Sequence, residues 1–183
     1  MSNDPDTATA YLGLGSNLGD RLAALRAAVF AVDDHPRIRV DFETGIASLY
    51  ETAPVGGPSN QGLFFNSAVR IVTTLTPVEL LRAVLSIEES LGRVRRRRWE
   101  ARAIDIDLLL YDDLVTDDKA PSLPHPRLHQ RRFVLEPLAE IACQVLHPVL
   151  KLTIADLARR RRSSEPAESV VLIAGPQWPH QTP

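Results

Sequence analysis

The run Ile104-Asp105-Ile106-Asp107-Leu108-Leu109-Leu110-Tyr111 constrains the fold more than any other stretch of the chain. It alternates apolar and acidic residues and then turns apolar, as a β-strand does when its far end is buried. Side chains two apart on a strand share a face and are separated by about 6.6 Å of rise, so Asp105 and Asp107 point the same way. Unpartnered buried carboxylates are costly. The three leucines that follow predict a buried central strand, with the two carboxylates projecting from one face of it.

Six arginines and a tryptophan precede this strand, in Gly92-Arg93-Val94-Arg95-Arg96-Arg97-Arg98-Trp99-Glu100-Ala101-Arg102. Two hard oxygen ligands at this spacing could hold one Mg2+ or share a pair of ions, because Mg2+ takes one or two carboxylates and completes its shell with phosphate and water. Arginine is a planar, permanently charged fork that matches phosphate. Together with an indole that can stack on a flat ring, the segment describes a site for a nucleotide polyphosphate and a heteroaromatic partner. Each part has a plainer reading taken singly. An arginine run is most often a solvated face or a nucleic-acid patch, and an Asp-x-Asp is often an exposed strand edge. Their occurrence in one segment favours the shared site.

Length and charge narrow the field further. At 183 residues the chain has the size of one domain with its own core. A net charge of -2 argues against a general nucleic-acid binder, although the clustered arginines leave a local anionic ligand possible. The single cysteine, Cys143, excludes an internal disulfide framework and a cysteine-rich metal site. The first residues are acidic where a signal peptide would be basic, and no apolar run approaches the roughly 20 residues of a membrane span. A cytoplasmic protein is expected.

In chain order, residues 1–8 read as a disordered lead. Ala10 to Asn17 reads as a short strand entering a glycine-containing turn, and Asp20 caps a helix with Leu22, Leu25, Val29 and Val32 on one face, ended by Pro36. Gly13, Gly15 and Gly19 do not make a dinucleotide fingerprint, because Leu18 stands where its third glycine is required, and a close-packed turn is the expectation. Val40 to Ala53 reads as a second strand and Phe64 to Thr74 as a third, joined as a hairpin by a long Pro- and Gly-rich loop. Thr76-Pro77-Val78-Glu79 is a capping box that opens a helix running to Gly92. With the fourth strand, 103–111, the order is βαββαβ, the signature of an α+β, ferredoxin-like antiparallel sheet with helices packed on it. A short helix interrupted near Pro137 and another starting at Thr153 are C-terminal helical additions. One domain over 9–162 follows, with 163–183 as an extension that could add a strand at 170–174.

Several ordered motifs resemble the 6-hydroxymethyl-7,8-dihydropterin pyrophosphokinase family of folate biosynthesis. They are Leu14-Gly15-Ser16-Asn17-Leu18-Gly19-Asp20-Arg21, Tyr50-Glu51-Thr52-Ala53-Pro54-Val55-Gly56, Phe64-Phe65-Asn66-Ser67-Ala68-Val69, the arginine loop with its Asp-x-Asp, and Pro124-His125-Pro126 followed by Arg131-Arg132-Phe133. The likeness spans roughly residues 10 to 158. Glu100-Ala101 stands where a Gly-Pro pair is usual, and Phe64 where tyrosine is common.

The resemblance implies transfer of a pyrophosphoryl group from ATP, the co-substrate, to the hydroxymethyl group of the pterin, leaving AMP. It implies that Asp105 and Asp107 hold two Mg2+ ions and act in catalysis with Arg93 and Arg102. Glu88, Arg95, Arg98, Ile106, His125 and Arg131 would bind ATP. Thr52, Val55, Phe64, Asn66, Trp99 and Phe133 would line the pterin pocket, with aromatic faces for stacking and the Asn66 amide reading the ring's polar edge. Partners are then two small molecules, with neither nucleic acid nor membrane, and a monomer is expected. The rival reading, an RNA-binding module on the same fold, lacks its strand signature here, and two aspartates on the binding surface would repel phosphate unless metal is bound.

Overall fold

The computed structural model describes residues 7–54, 61–92, 102–117, 120–166 and 169–180. Its elements in chain order are β1 (Ala8–Ser16), α1 (Arg21–Asp33), β2 (Ile38–Val40), β3 (Leu49–Thr52), β4 (Phe64–Thr73), α2 (Pro77–Ser90), β5 (Asp105–Tyr111), α3 (Arg132–Ala142), α4 (Ile154–Arg162) and β6 (Val170–Ala174). A single 3-10 turn, Leu128–Gln130, leads into α3. All six strands of the described residues form one antiparallel sheet in the order β5-β1-β4-β3-β6, with β2 also on β4. The ferredoxin-like βαββαβ order is recognisable once β2 and β3 are counted as one broken strand.

Local chemistry accounts for the helix starts. The Asp20 side chain accepts the Ala23 N–H at α1, and Thr76 and Glu79 close a reciprocal capping box at α2. Thr153 caps α4 through the Asp156 N–H. Along α1, Leu25, Ala28, Val29 and Val32 are buried, the expected face with Leu22 at its margin. Together α1 and α2 cover one face of the sheet, against Leu12, Leu14, Val69, Ile71, Ile106 and Leu108. The opposite face is covered by α3 and α4, against Tyr11, Ala47, Ala68, Leu109 and Leu110.

Several expectations are corrected. The stretch 40–53 is two strands, because Asp41 folds the chain into a turn in which its carboxylate accepts the Glu43 and Thr44 N–H groups. Val40 pairs with Ile71 and Ile46 with Val69, so the five residues 41–45 stand against the single residue Arg70 and four are extra. A Cβ at Gly45 would lie 2.7 Å from the Asp41 Cβ, so only glycine closes that turn. Next, β5 is an edge strand and not a central one. A register shift against β1 between Tyr11 and Leu12 leaves Leu109 as an extra residue, which sends Leu109 and Leu110 to the same face and explains three leucines in succession. The Leu109 carbonyl on the open edge accepts the His125 N–H at 2.9 Å. Finally, β1 begins at Ala8, inside the stretch read as a lead, Pro137 sits within an unbroken α3, and α1 ends at Asp33, ahead of Pro36.

The C-terminal extension belongs to the same sheet through β6. Beyond it Trp178 is 1% exposed, donates its indole N–H to the Ala47 carbonyl at 2.9 Å, and accepts on its own carbonyl from Arg26. Replacing Trp178 with Ala is expected to lower the unfolding free energy by about 3–5 kcal/mol in urea titrations. Trp178→Phe should cost only about 1 kcal/mol, since the Ser67 hydroxyl still serves the Ala47 carbonyl. A Trp178→Ala loss below about 1 kcal/mol would show that the segment is merely laid on the surface.

Candidate active site

Directly opposed residues in an antiparallel sheet share a face. Gly15 is opposed by Asp105 on one side and Asn66 on the other, and Gly13 by Asp107 and Ala68. The central strand therefore carries no side chain where its neighbours carry two carboxylates and an amide. Gly13 and Gly15 thus lie within extended β1, and the turn expected around them falls later, at Gly19 with φ +65°. They form the floor of a cavity of about 350 Å³, within the usual size range of small-molecule sites. A Cβ on Gly15 would stand 3.5 Å from Asn66 Oδ1 and 4.0 Å from the Asp105 Cβ.

One wall is cationic. Arg102 donates to Asp105 at 2.5 Å, and Arg131 lies 3.9 Å from Asp107. Arg127 and Arg131 line the cavity from the segment that leads into α3, whose first turn opens on the same space. A helix N-terminus adds partial positive charge there. His125 also lines the cavity. Its Nδ1 accepts the Arg127 N–H at 3.2 Å, so Nε2 carries the proton of the neutral ring. Burial, then repulsion from Arg131 and Arg127, pushes the His125 pKa down to about 4, which keeps the ring neutral at ordinary pH.

The other wall is apolar with one amide. Asn66 is buried and donates to Thr52 Oγ1 at 2.8 Å, which turns its Oδ1 towards Gly15 and the cavity. Phe64, at the start of β4, and Phe133, in the first turn of α3, both line this space. The arrangement offers a flat aromatic ring two faces and an edge acceptor, beside a bay suited to a polyanion.

The structure thus brings together Thr52, Phe64, Asn66, Arg102, Asp105, Asp107, His125, Arg131 and Phe133 in one cavity. Glu88 and Ile106 are not among its lining residues. Glu88 is fully buried beneath β5 and its carboxylate accepts the Ile106 N–H at 2.6 Å, while the Ile106 side chain faces the α1 and α2 layer. That hydrogen bond anchors the strand residue between the two aspartates. Val55, Arg93, Arg95, Arg98 and Trp99 lie outside the described residues. Sequence reasoning passed over Gly13, Gly15, Gln61, Ser67, Arg127 and Gln130, all on the lining. The glycine spacing, two apart like the aspartates, was the available signal.

The family model for 7,8-dihydro-6-hydroxymethylpterin-pyrophosphokinase (HPPK) matches residues 11–143, a span that holds every residue of this cavity. The chain belongs to the HPPK family. It is 50% identical over 133 residues to the 2-amino-4-hydroxy-6-hydroxymethyldihydropteridine pyrophosphokinase of Methylorubrum extorquens, covering 73% of this chain and 82% of that one. It is 46% identical over 136 residues to the Bacillus subtilis protein of the same name, covering 74% and 79%. Among solved structures it is similar to the HPPK-DHPS protein of Plasmodium falciparum, with a TM-score of 0.65 and 17% identity, over 86% of this chain and 44% of that one. The chain thus spans less than half of that protein, and the likeness there is one of fold. No helix of the described residues is long and apolar enough to cross a membrane.

The depressed His125 pKa sets a stability prediction. Unfolded, the ring takes a proton near its ordinary value of 6.5, and folded it does so only near 4. Between those values the unfolded chain binds more protons, so stability is complete above about pH 6.5 and falls as pH drops towards 4. The urea midpoint of His125→Asn is therefore expected to fall less than that of the unaltered protein across this window. Parallel decline in both proteins would contradict the burial assigned to the ring.

Proposed function

We propose that the cavity carries out the reaction for which its family is named: the hydroxymethyl oxygen of 6-hydroxymethyl-7,8-dihydropterin attacks the β-phosphorus of ATP. The α,β-bridging bond breaks, AMP leaves, and the pterin carries the diphosphate. The observation that carries the reading is the meeting of two sets of side chains in one cavity. Asp105, Asp107, Arg102, Arg131 and His125 supply its charged and imidazole groups, and Thr52, Phe64, Asn66 and Phe133 its aromatic and hydrogen-bonding ones.

The donor set fits Mg2+. Asp105 and Asp107 share a face, with side chains 23% and 39% exposed, and no group of three or more metal-binding side chains occurs among the described residues. A carboxylate pair is what Mg2+ takes when phosphate and water complete its shell. Held there, two Mg2+ ions would supply charge neutralisation along the triphosphate and ease loss of the acceptor hydroxyl proton.

The remaining work falls to side chains of this chain. Arg102 and Arg131 place guanidinium groups beside the carboxylates, where they meet non-bridging oxygens and the charge that develops on them. Neutral His125 donates from Nε2, a role that a ring with its pKa near 4 keeps throughout the physiological range. Phe64 and Phe133 hold the pterin by its faces, and Asn66, fixed by Thr52, accepts from the amino edge. Glu88 acts indirectly, by holding the Ile106 N–H and with it the spacing of the aspartates. Val55 and Trp99 on the pterin side, and Arg93, Arg95 and Arg98 on the phosphate side, enter on the family resemblance. The enzyme works in the cytoplasm, where ATP is plentiful, as a monomer acting on two small molecules.

Purified protein given ATP, Mg2+ and the pterin should release AMP and a pterin diphosphate in equal amounts. ADP with a pterin monophosphate would contradict the reading. Asp105→Asn and Asp107→Asn should each lower kcat by roughly 100-fold or more with little change in melting temperature, and near-normal turnover in either would remove the carboxylate role. Phe133→Ala should weaken pterin binding by about tenfold and leave a non-hydrolysable ATP analogue unaffected in calorimetry. Equal losses for both ligands would rule out stacking.

A further inference from the structure

Asn17 does not line the cavity, yet two of the residues that do are fastened to it. It follows the last residue of β1 and is 6% exposed. Its backbone N–H donates to the Arg102 carbonyl at 3.1 Å, and its Oδ1 accepts the Arg102 N–H at 2.7 Å. The Arg102 main chain is thereby gripped from both sides by a single residue. The Asn17 Nδ2 donates to Gln61 Oε1 at 3.2 Å. Gln61 lies on the wall of Thr52 and Phe64, and Arg102 on the wall of the carboxylates.

The side chain is matched to this task. One short amide supplies an acceptor to the main chain at 102 and a donor to the side chain at 61, which neither aspartate nor an aliphatic residue can do. Placement matters at Arg102 because its guanidinium reaches Asp105 only three residues along. A main chain displaced at 102 carries the cation away from the phosphates, and displacements of about 1 Å are enough to cost large factors in rate.

We propose that Asn17 is a positioning residue that ties the nucleotide wall to the pterin wall, acting through Arg102 and Gln61. The proposal rests on the reading of the cavity given above. Its prediction is non-additivity, because a residue that acts through Arg102 has little left to do once that guanidinium is gone. Asn17→Ala should weaken binding of a non-hydrolysable ATP analogue with Mg2+ about tenfold in the unaltered protein and less than twofold in an Arg102→Ala background. Equal losses in the two backgrounds would mean a general structural role and would overturn the proposal.

If the unaltered protein proves to bind no nucleotide, the reading of the cavity fails and the clamp is judged without ligand. Amide exchange at Arg102 should then be at least about tenfold faster in Asn17→Ala, and unchanged exchange would overturn it. Should Asn17→Ala fail to fold, Asn17→Asp replaces it, since it keeps the oxygen for the Arg102 N–H and lacks the donor to Gln61. That variant should raise KM for the pterin and hold kcat within about threefold. Loss of kcat at unchanged KM would count against the proposal.

Discussion

The pairing of β1 between β4 and β5 is the constraint from which the site follows. Gly13 and Gly15 are extended residues in the middle of a sheet, where a missing side chain ordinarily weakens a strand. Here the missing side chains make the cavity floor. Their neighbours across the ladder are Asp107 and Asp105 on β5 and Ala68 and Asn66 on β4, so register alone sets carboxylates and amide on either side of the same hollow. A shift of one residue would send all of them into the layer beneath α1 and α2.

The register is held from both faces. Leu12, Leu14, Ile106 and Leu108 lock it under α1 and α2, while Leu109 and Leu110, both on the other face because of the bulge, lock it under α3. Glu88 secures the outer edge of β5 at Ile106, and the His125 N–H secures it at Leu109. The second of these contacts also delivers His125 to the cavity, so protection of the edge and placement of a functional side chain are one feature. Around the two carboxylates stand Arg102, Arg127 and Arg131, an excess of positive charge that suits a triphosphate better than the carboxylates alone would.

Much of this was legible in the residues. The Asp105-x-Asp107 spacing, the capping box at Thr76 and the apolar face of α1 each follow from local periodicity, and the structure bears out all three. Most of what failed was long-range. Val40 to Ala53 looks like one strand because its break depends on the Asp41 side chain turning back on its own main chain. The three leucines suggested a central strand because burial by helices on two faces leaves the same composition as burial between strands. Gly13 and Gly15 looked like a turn because nothing local shows that their neighbours across the sheet are acidic. Glu88 falls on the buried face of α2, four residues after Val84 and eight after Leu80, but spacing does not say what its carboxyl group would hold there. The arginine loop from 93 to 101, which gave the sequence much of its functional character, lies outside the described residues.

Catalysis here depends most directly on Asp105 and Asp107 acting as one cation-binding pair beside the glycine floor. Mn2+ in place of Mg2+, counted by electron paramagnetic resonance with a non-hydrolysable ATP analogue and the pterin present, measures that pair. The unaltered protein is expected to hold two ions per chain, and the Asp105→Asn/Asp107→Asn double variant neither of them. Two ions held with equal affinity by the double variant would contradict the account.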